Sequence, residues 1–93
     1  MEYEVVVRPA AQRQLGKLRG EMSVALHGAI VTLGDDPRPP GVIKLAGGSD
    51  LWRIRIRIDG RPWRIVYEID DRARRIRVLR VMARDEGTYR GLK

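Results

Sequence analysis

Ninety-three residues suffice for one small domain and not for two, so residues 1–93 are read as a single domain. The absence of cysteine excludes disulfide staples and thiolate metal sites, and one histidine, His27, cannot assemble a histidine cluster, so neither metal nor cofactor is expected. The net charge of +7 is unevenly spread: residues 1–50 hold six Lys/Arg and six Asp/Glu, whereas residues 51–93 hold thirteen and six, which points to a polyanionic partner, nucleic acid or an acidic protein.

Residues 3–7 (YEVVV) read as a β-branched strand. Pro9 suits the first turn of a following helix that places Ala11, Leu15 and Leu18 on one face and is closed by Gly20. A second helix, from about Glu21 to Leu33, repeats Met22, Leu26, Ala29, Ile30 and Leu33 at spacings of three and four, and the two helices form a hairpin. The proline-rich stretch GDDPRPPG, residues 34–41, cannot continue a helix and makes an irregular crossing to VIKLAGGSD. No stretch approaches the roughly 18 apolar residues of a membrane span. The expected location is cytoplasmic, with no membrane partner.

From Leu51 the period changes to two. Trp52, Ile54, Ile56 and Ile58 point one way and Arg53, Arg55 and Arg57 the other. Asp59-Gly60 is a strong signal for a two-residue hairpin turn, which pairs Ile56 with Trp63, Ile54 with Ile65 and Trp52 with Tyr67 on the apolar face. The same register sets Arg57 opposite Pro62 and Arg55 opposite Arg64. Like charges directly across a sheet are destabilising by a few tenths of a kcal/mol or more. A last strand, residues 75–82 (RIRVLRVM), follows the DDRAR turn, and the chain ends in ARDEGTYRGLK. The fold class is therefore α+β: an N-terminal strand and a two-helix hairpin packed on a mainly antiparallel sheet that ends in a three-stranded meander.

The arginine row admits two readings. One is a solvated sheet face whose charges discourage edge-to-edge aggregation. The other is an anion cradle, because Arg53, Arg55, Arg57 and Arg64 converge on one face at intervals of about 6 to 7 Å and guanidinium groups grip phosphate bidentately. Other candidates are weaker. His27 lies on a different helix face from Met22, Leu26 and Ile30 and reads as an ordinary surface or boundary residue. Asp70-Asp71 reads as a turn between compensating arginines rather than a metal pair, since adjacent turn residues diverge. Trp52, Trp63 and Tyr67 share the isoleucines' parity and belong to the core, whereas Tyr89 lies outside the periodic strand, free to stack on a base.

The order of elements, together with Lys44-Leu45, LWRIRI, WRIVYEIDD and VLRVMARDEGTYR, resembles the RelE/ParE superfamily of toxin–antitoxin toxins along essentially the whole chain. The resemblance implies the RelE-like fold, a cognate antitoxin partner, and one of two activities. RelE-type members are ribosome-dependent endoribonucleases that cut mRNA and inhibit translation; ParE-type members inhibit DNA gyrase. It carries the RelE-type basic positions onto Arg53, Arg55 and Arg64, with Arg57 continuing the row, Arg84 after the last strand, the C-terminal tyrosine onto Tyr89, and Lys44 among the RNA-binding residues. Two features depart from the pattern: the strand positions often filled by lysine are arginine, and Ala83 replaces a basic residue or histidine before Arg84.

Cleavage of this kind needs a base for the 2′-hydroxyl, charge for the developing phosphorane and an acid for the leaving 5′-oxygen. Arginine supplies the charge and is a poor base, since it stays protonated. The proton acceptor is then Tyr89, acidified by neighbouring arginines, or a group of the ribosome, with Arg84 serving the leaving oxygen. A plain RNA- or DNA-binding module is the third reading.

Overall fold

The computed structural model, which describes residues 2–45 and 50–83, turns the alternating sequence after Asp50 into three long antiparallel strands. The elements are β1 (Glu4–Val7), α1 (Pro9–Gly16), α2 (Gly20–Asp35), β2 (Ile43–Lys44), β3 (Leu51–Ile58), β4 (Arg61–Asp70) and β5 (Arg75–Ala83). Their sheet order is β1-β5-β4-β3-β2, with β1 parallel to β5 and every other neighbour antiparallel. The helix hairpin forms the connection that carries the chain out of β1, giving the α+β architecture expected.

The β3–β4 register follows from the turn. Asp59 and Gly60 both take positive φ, 56° and 75°, the conformation whose twist matches that of the flanking strands. Ile56 therefore faces Trp63, Ile54 faces Ile65, Trp52 faces Tyr67, and Arg55 faces Arg64, as the spacing requires. Trp63, Ile65, Tyr67 and Ile69 of β4 are buried with Ile76, Val78 and Val81 of β5, against Ala11 and Leu15 of α1 and Leu26, Ile30 and Leu33 of α2. Burying each of these larger side chains contributes about 1.5 to 3 kcal/mol.

Three local features differ from the sequence reading. The first helix ends at Gly16, a poor helix former, and the chain turns through Lys17 and Leu18, whose amides bond back to Gln14 and Leu15 carbonyls; Gly20 opens α2. Leu18 still packs against the core from this turn. The sheet begins earlier than expected, because Ile43 and Lys44 pair with Arg53 and Trp52 as an edge strand. Finally, β5 is not regular: Val66 pairs with Arg80 while Tyr67 pairs with Val78, so Leu79 is an extra residue, a β-bulge.

A polar network ties the 34–42 crossing to the sheet. Arg38 donates to both Asp71 carboxylate oxygens at 3.3 and 2.9 Å, and the Tyr3 hydroxyl donates to the same carboxylate at 2.6 Å. The hydrogen bond from Arg38, then that from Tyr3, holds the Asp71 carboxyl below the usual aspartate range. Arg38 also stacks over Trp52, 4.9 Å from the ring centre. Close by, the Tyr67 hydroxyl donates to the Pro37 carbonyl at 2.7 Å, and burial pushes its pKa up to about 12.

Two consequences are measurable. Tyr67→Phe leaves the core volume intact but removes the partner of the Pro37 carbonyl, so it is expected to cost about 1 kcal/mol, a drop of roughly 4 to 8 °C in melting temperature for a domain of this size. Asp71 stabilises the fold in its charged form, a contribution present above the unfolded carboxyl pKa of about 3.9 and lost as pH falls through its lower folded value. Denaturant titrations should therefore show Asp71→Asn below the parent at neutral pH, with the gap closing in acid; a gap independent of pH would rule out this role.

Candidate functional site

The face of the sheet turned away from the helices divides into two halves of different electrostatic character. At one end the arginines of β5 face carboxylates. Arg75 Nε lies 2.9 Å from Glu4 on the neighbouring strand, and Arg77 Nη1 lies 3.6 Å from Glu68 directly opposite it. At the other end the neighbours across the strands are cations or apolar residues. Arg55 of β3 faces Arg64 of β4, which in turn faces Met82 of β5. One step along, Arg53 faces Val66, which faces Arg80. Among the described residues Arg55, Arg64 and Arg80 make no ion pair.

Burial sharpens the contrast. Arg55 and Arg80 are exposed, whereas Arg53 and Arg64 are half-buried in the sheet surface. The Nε atom of Arg64 is buried and has no hydrogen-bond partner among the described residues. An arginine held down in this way has lost rotamer freedom and water before any ligand arrives, so an oxyanion that meets its guanidinium gains charge-assisted hydrogen bonds at a small ordering cost. The arrangement supplies positive charge over a surface wide enough for consecutive phosphates. No cluster of three or more metal-ligating side chains occurs among the described residues.

The site residues read from the sequence separate accordingly. Arg53, Arg55 and Arg64 come together on this second half. Arg57 shares their face, opposite Pro62, but its Nη1 donates to the Gly60 carbonyl at 3.1 Å and braces the hairpin turn. Lys44 does not join them. It pairs with Trp52, so it projects from the opposite face, where its Nζ lies 3.8 Å from Asp50 and 5.7 Å from the centre of the Trp52 ring. Arg84 and Tyr89 lie outside the described residues.

The remaining candidates keep structural roles. His27 is exposed on α2, and its Nδ1–H donates to the Ser23 carbonyl at 2.8 Å, on the helical side of the sheet. The carboxylates of Asp70 and Asp71 serve different partners, the Ala73 amide and the Arg38–Tyr3 pair, and do not converge. Trp63 and Tyr67 are buried and Trp52 half-buried on the core face. Sequence reasoning missed Arg80 and Arg38. Arg38 left no signal beyond its place in a proline-rich crossing, but Arg80 left one: strict alternation from Ile76 and Val78 puts its charge inside the core.

The fold has counterparts among known proteins. A family model described as ParE toxin of type II toxin–antitoxin system, parDE, matches residues 5–87. The chain belongs to this toxin family. No curated protein matched it. Among solved structures, the toxin of the RelBE2 toxin–antitoxin complex from Mycobacterium tuberculosis is 26% identical over 90% of this chain and 100% of its own, with a TM-score of 0.74. The archaeal RelE of a RelE–RelB complex from Pyrococcus horikoshii is 26% identical over 92% and 99%, with a TM-score of 0.72. A mutant of the E. coli toxin RelE in the free state is 26% identical over 88% and 83%, with a TM-score of 0.71. The chain is thus the toxin of a toxin–antitoxin pair, with the RelE architecture.

For such a toxin the arginine face has a distinctive stability signature. Arg55→Ala and Arg64→Ala each remove one cation from a like-charge cross-strand pair, so each is expected to leave the melting temperature unchanged or slightly raised while weakening toxicity. A clear loss of stability in both would identify the arginines as sheet-holding residues.

Proposed function

We propose that this toxin is a ribosome-dependent endoribonuclease that cuts mRNA, with Arg53, Arg55 and Arg64 as its phosphate-binding surface. The supporting observation is the like-charge pair on the open sheet face, where Arg55 opposes Arg64 at a cost in stability. Arg84 and Tyr89, the first and sixth residues after β5, supply the remaining groups of the reaction scheme. In that scheme a base takes the proton of a ribose 2′-hydroxyl, the oxygen attacks the adjacent phosphorus, and the bond to the 5′-oxygen breaks as that oxygen gains a proton. The arginines stabilise the charge of the phosphorane and Arg84 serves the leaving oxygen. Tyr89 or a ribosomal group accepts the first proton. The ribosome holds the mRNA bent for attack, so free RNA is a poor substrate.

The cognate antitoxin is the second partner. RelB antitoxins accompany RelE in the M. tuberculosis and P. horikoshii complexes. Here the outer face of α2 offers Val24 and Val31, 73% and 65% exposed, as apolar anchors for a segment that folds on binding. Its acidic residues would neutralise the basic half of the sheet.

The match to the ParE family model favours a second reading, inhibition of DNA gyrase without nuclease chemistry. Mapping mRNA ends by primer extension in cells expressing the toxin distinguishes the two. Nuclease action predicts new 5′ ends within translated codons; their absence together with blocked supercoiling by gyrase would establish the second. Tyr89 then reports on mechanism. If it is the general base, Tyr89→Phe and Tyr89→Ala both lose about 10²- to 10⁴-fold in ribosomal cleavage. If it only stacks on the nucleotide, Tyr89→Phe keeps most of the activity. Equal cleavage by parent and both variants would remove Tyr89 from the site.

A further inference from the structure

The bulge in β5 lies where the sheet loses a strand. β1 accompanies β5 only from Arg75 to Val78, the last contact being the Arg8 amide on the Val78 carbonyl at 2.9 Å, after which the chain turns away into α1. Beyond Val78 no strand among the described residues lies along the outer edge of β5. There the Val81 amide donates to the Gln14 side-chain oxygen of α1 at 2.9 Å. The side chain takes the place of a neighbouring strand's carbonyl, and the extra residue, Leu79, is accommodated at the same point.

The geometric effect is a change of face. Ile76 and Val78 point into the core, and strict alternation would send Arg80 and Met82 after them. With one residue inserted, Val81 takes the core position, 1% exposed, and Arg80 emerges exposed on the opposite face. Bulges that re-aim a side chain are characteristic of sheet edges and the margins of functional sites.

We propose that Arg80 is a phosphate-binding residue of the toxin's nucleic-acid site, aimed by the Gln14-capped bulge, and that with Arg53 it forms a second row of the cradle. The two arginines straddle Val66, one on each neighbouring strand, about 10 Å apart at the backbone. This row lies two residues along β4 from the Arg55–Arg64 row, about 6 to 7 Å. That step is close to the separation of successive phosphates in an extended single strand, so one row takes each phosphate. Val66 gives the gap between Arg53 and Arg80 an apolar floor on which a ribose can rest. The assignment rests on the nucleic-acid reading of the toxin, and adds to it a residue on a third strand.

The test measures binding rather than cleavage, using a single-stranded RNA oligonucleotide whose 2′-hydroxyls are methylated. Affinity is followed by fluorescence anisotropy across a salt series. Arg80→Ala is expected to weaken binding about tenfold at low salt and to reduce the slope of log affinity against log salt by about 0.7, one phosphate contact. Arg55→Ala should do the same. Arg72→Ala, an equal loss of charge in the β4–β5 turn, should leave the slope unchanged. Gln14→Ala added to Arg80→Ala should cost no further affinity, because Gln14 acts through the residue already removed; a further loss would overturn its positioning role. If Arg55→Ala lowers the slope and Arg80→Ala does not, or if Arg72→Ala lowers it as much, the second row is refuted and the nuclease proposal stands. If neither Arg55→Ala nor Arg80→Ala changes the slope, both fail together.

Discussion

The pairing register of β3 with β4 is the constraint on which the remaining structure depends. A side-chain period of two means that a slip of one residue would exchange the two faces of the sheet, burying Arg53, Arg55 and Arg57 and exposing Trp52, Ile54 and Ile56. The Asp59-Gly60 turn prevents the slip by joining the strands with two residues in the conformation that suits their twist. Core and basic face are thus two outcomes of one turn. Tyr67 extends the same constraint outward, since its place opposite Trp52 brings its hydroxyl to the Pro37 carbonyl and sets the crossing over the end of the sheet.

The open face shows two ways of managing charge on one sheet. Where β1 adjoins β5, Arg75 meets Glu4 and Arg77 meets Glu68, and the pairs supply modest, solvent-screened stabilisation. Towards the β3–β4 hairpin, Arg55 and Arg64 oppose each other at a cost of a few tenths of a kcal/mol or more. The apolar core tolerates that cost easily, because each of its larger buried side chains contributes several times as much. Stability is therefore supplied from one face of the sheet, and the other can hold like charges opposite one another.

Charge on this chain acquires meaning only through its neighbours. Lys44 and Arg38 are cations near the sheet edge, yet both are engaged with Asp50 and the Trp52 ring, and Arg38 also with Asp71. They clamp the crossing and the edge strand. Arg57, although it stands in the arginine row, braces its own turn through the Gly60 carbonyl.

Local pattern alone determined the helix hairpin, the β3–β4 register, the burial of Trp63, Ile65 and Tyr67, and the convergence of Arg53, Arg55 and Arg64, because each follows from side-chain period and turn chemistry within a few residues. The end of α1 at Gly16 escaped that pattern because Leu18 continues the apolar spacing from a turn rather than from the helix. Lys44 escaped it because the face of a two-residue edge strand is set by the strand it pairs with, not by its own alternation. Arg80 required the tertiary structure most of all. Its face depends on where β1 leaves β5 and on a Gln14 side chain, 67 positions before Val81 in sequence, that satisfies the Val81 amide. A hydrogen bond between distant segments displaced the period by one residue, and periodicity read along a single strand contains no information about that bond.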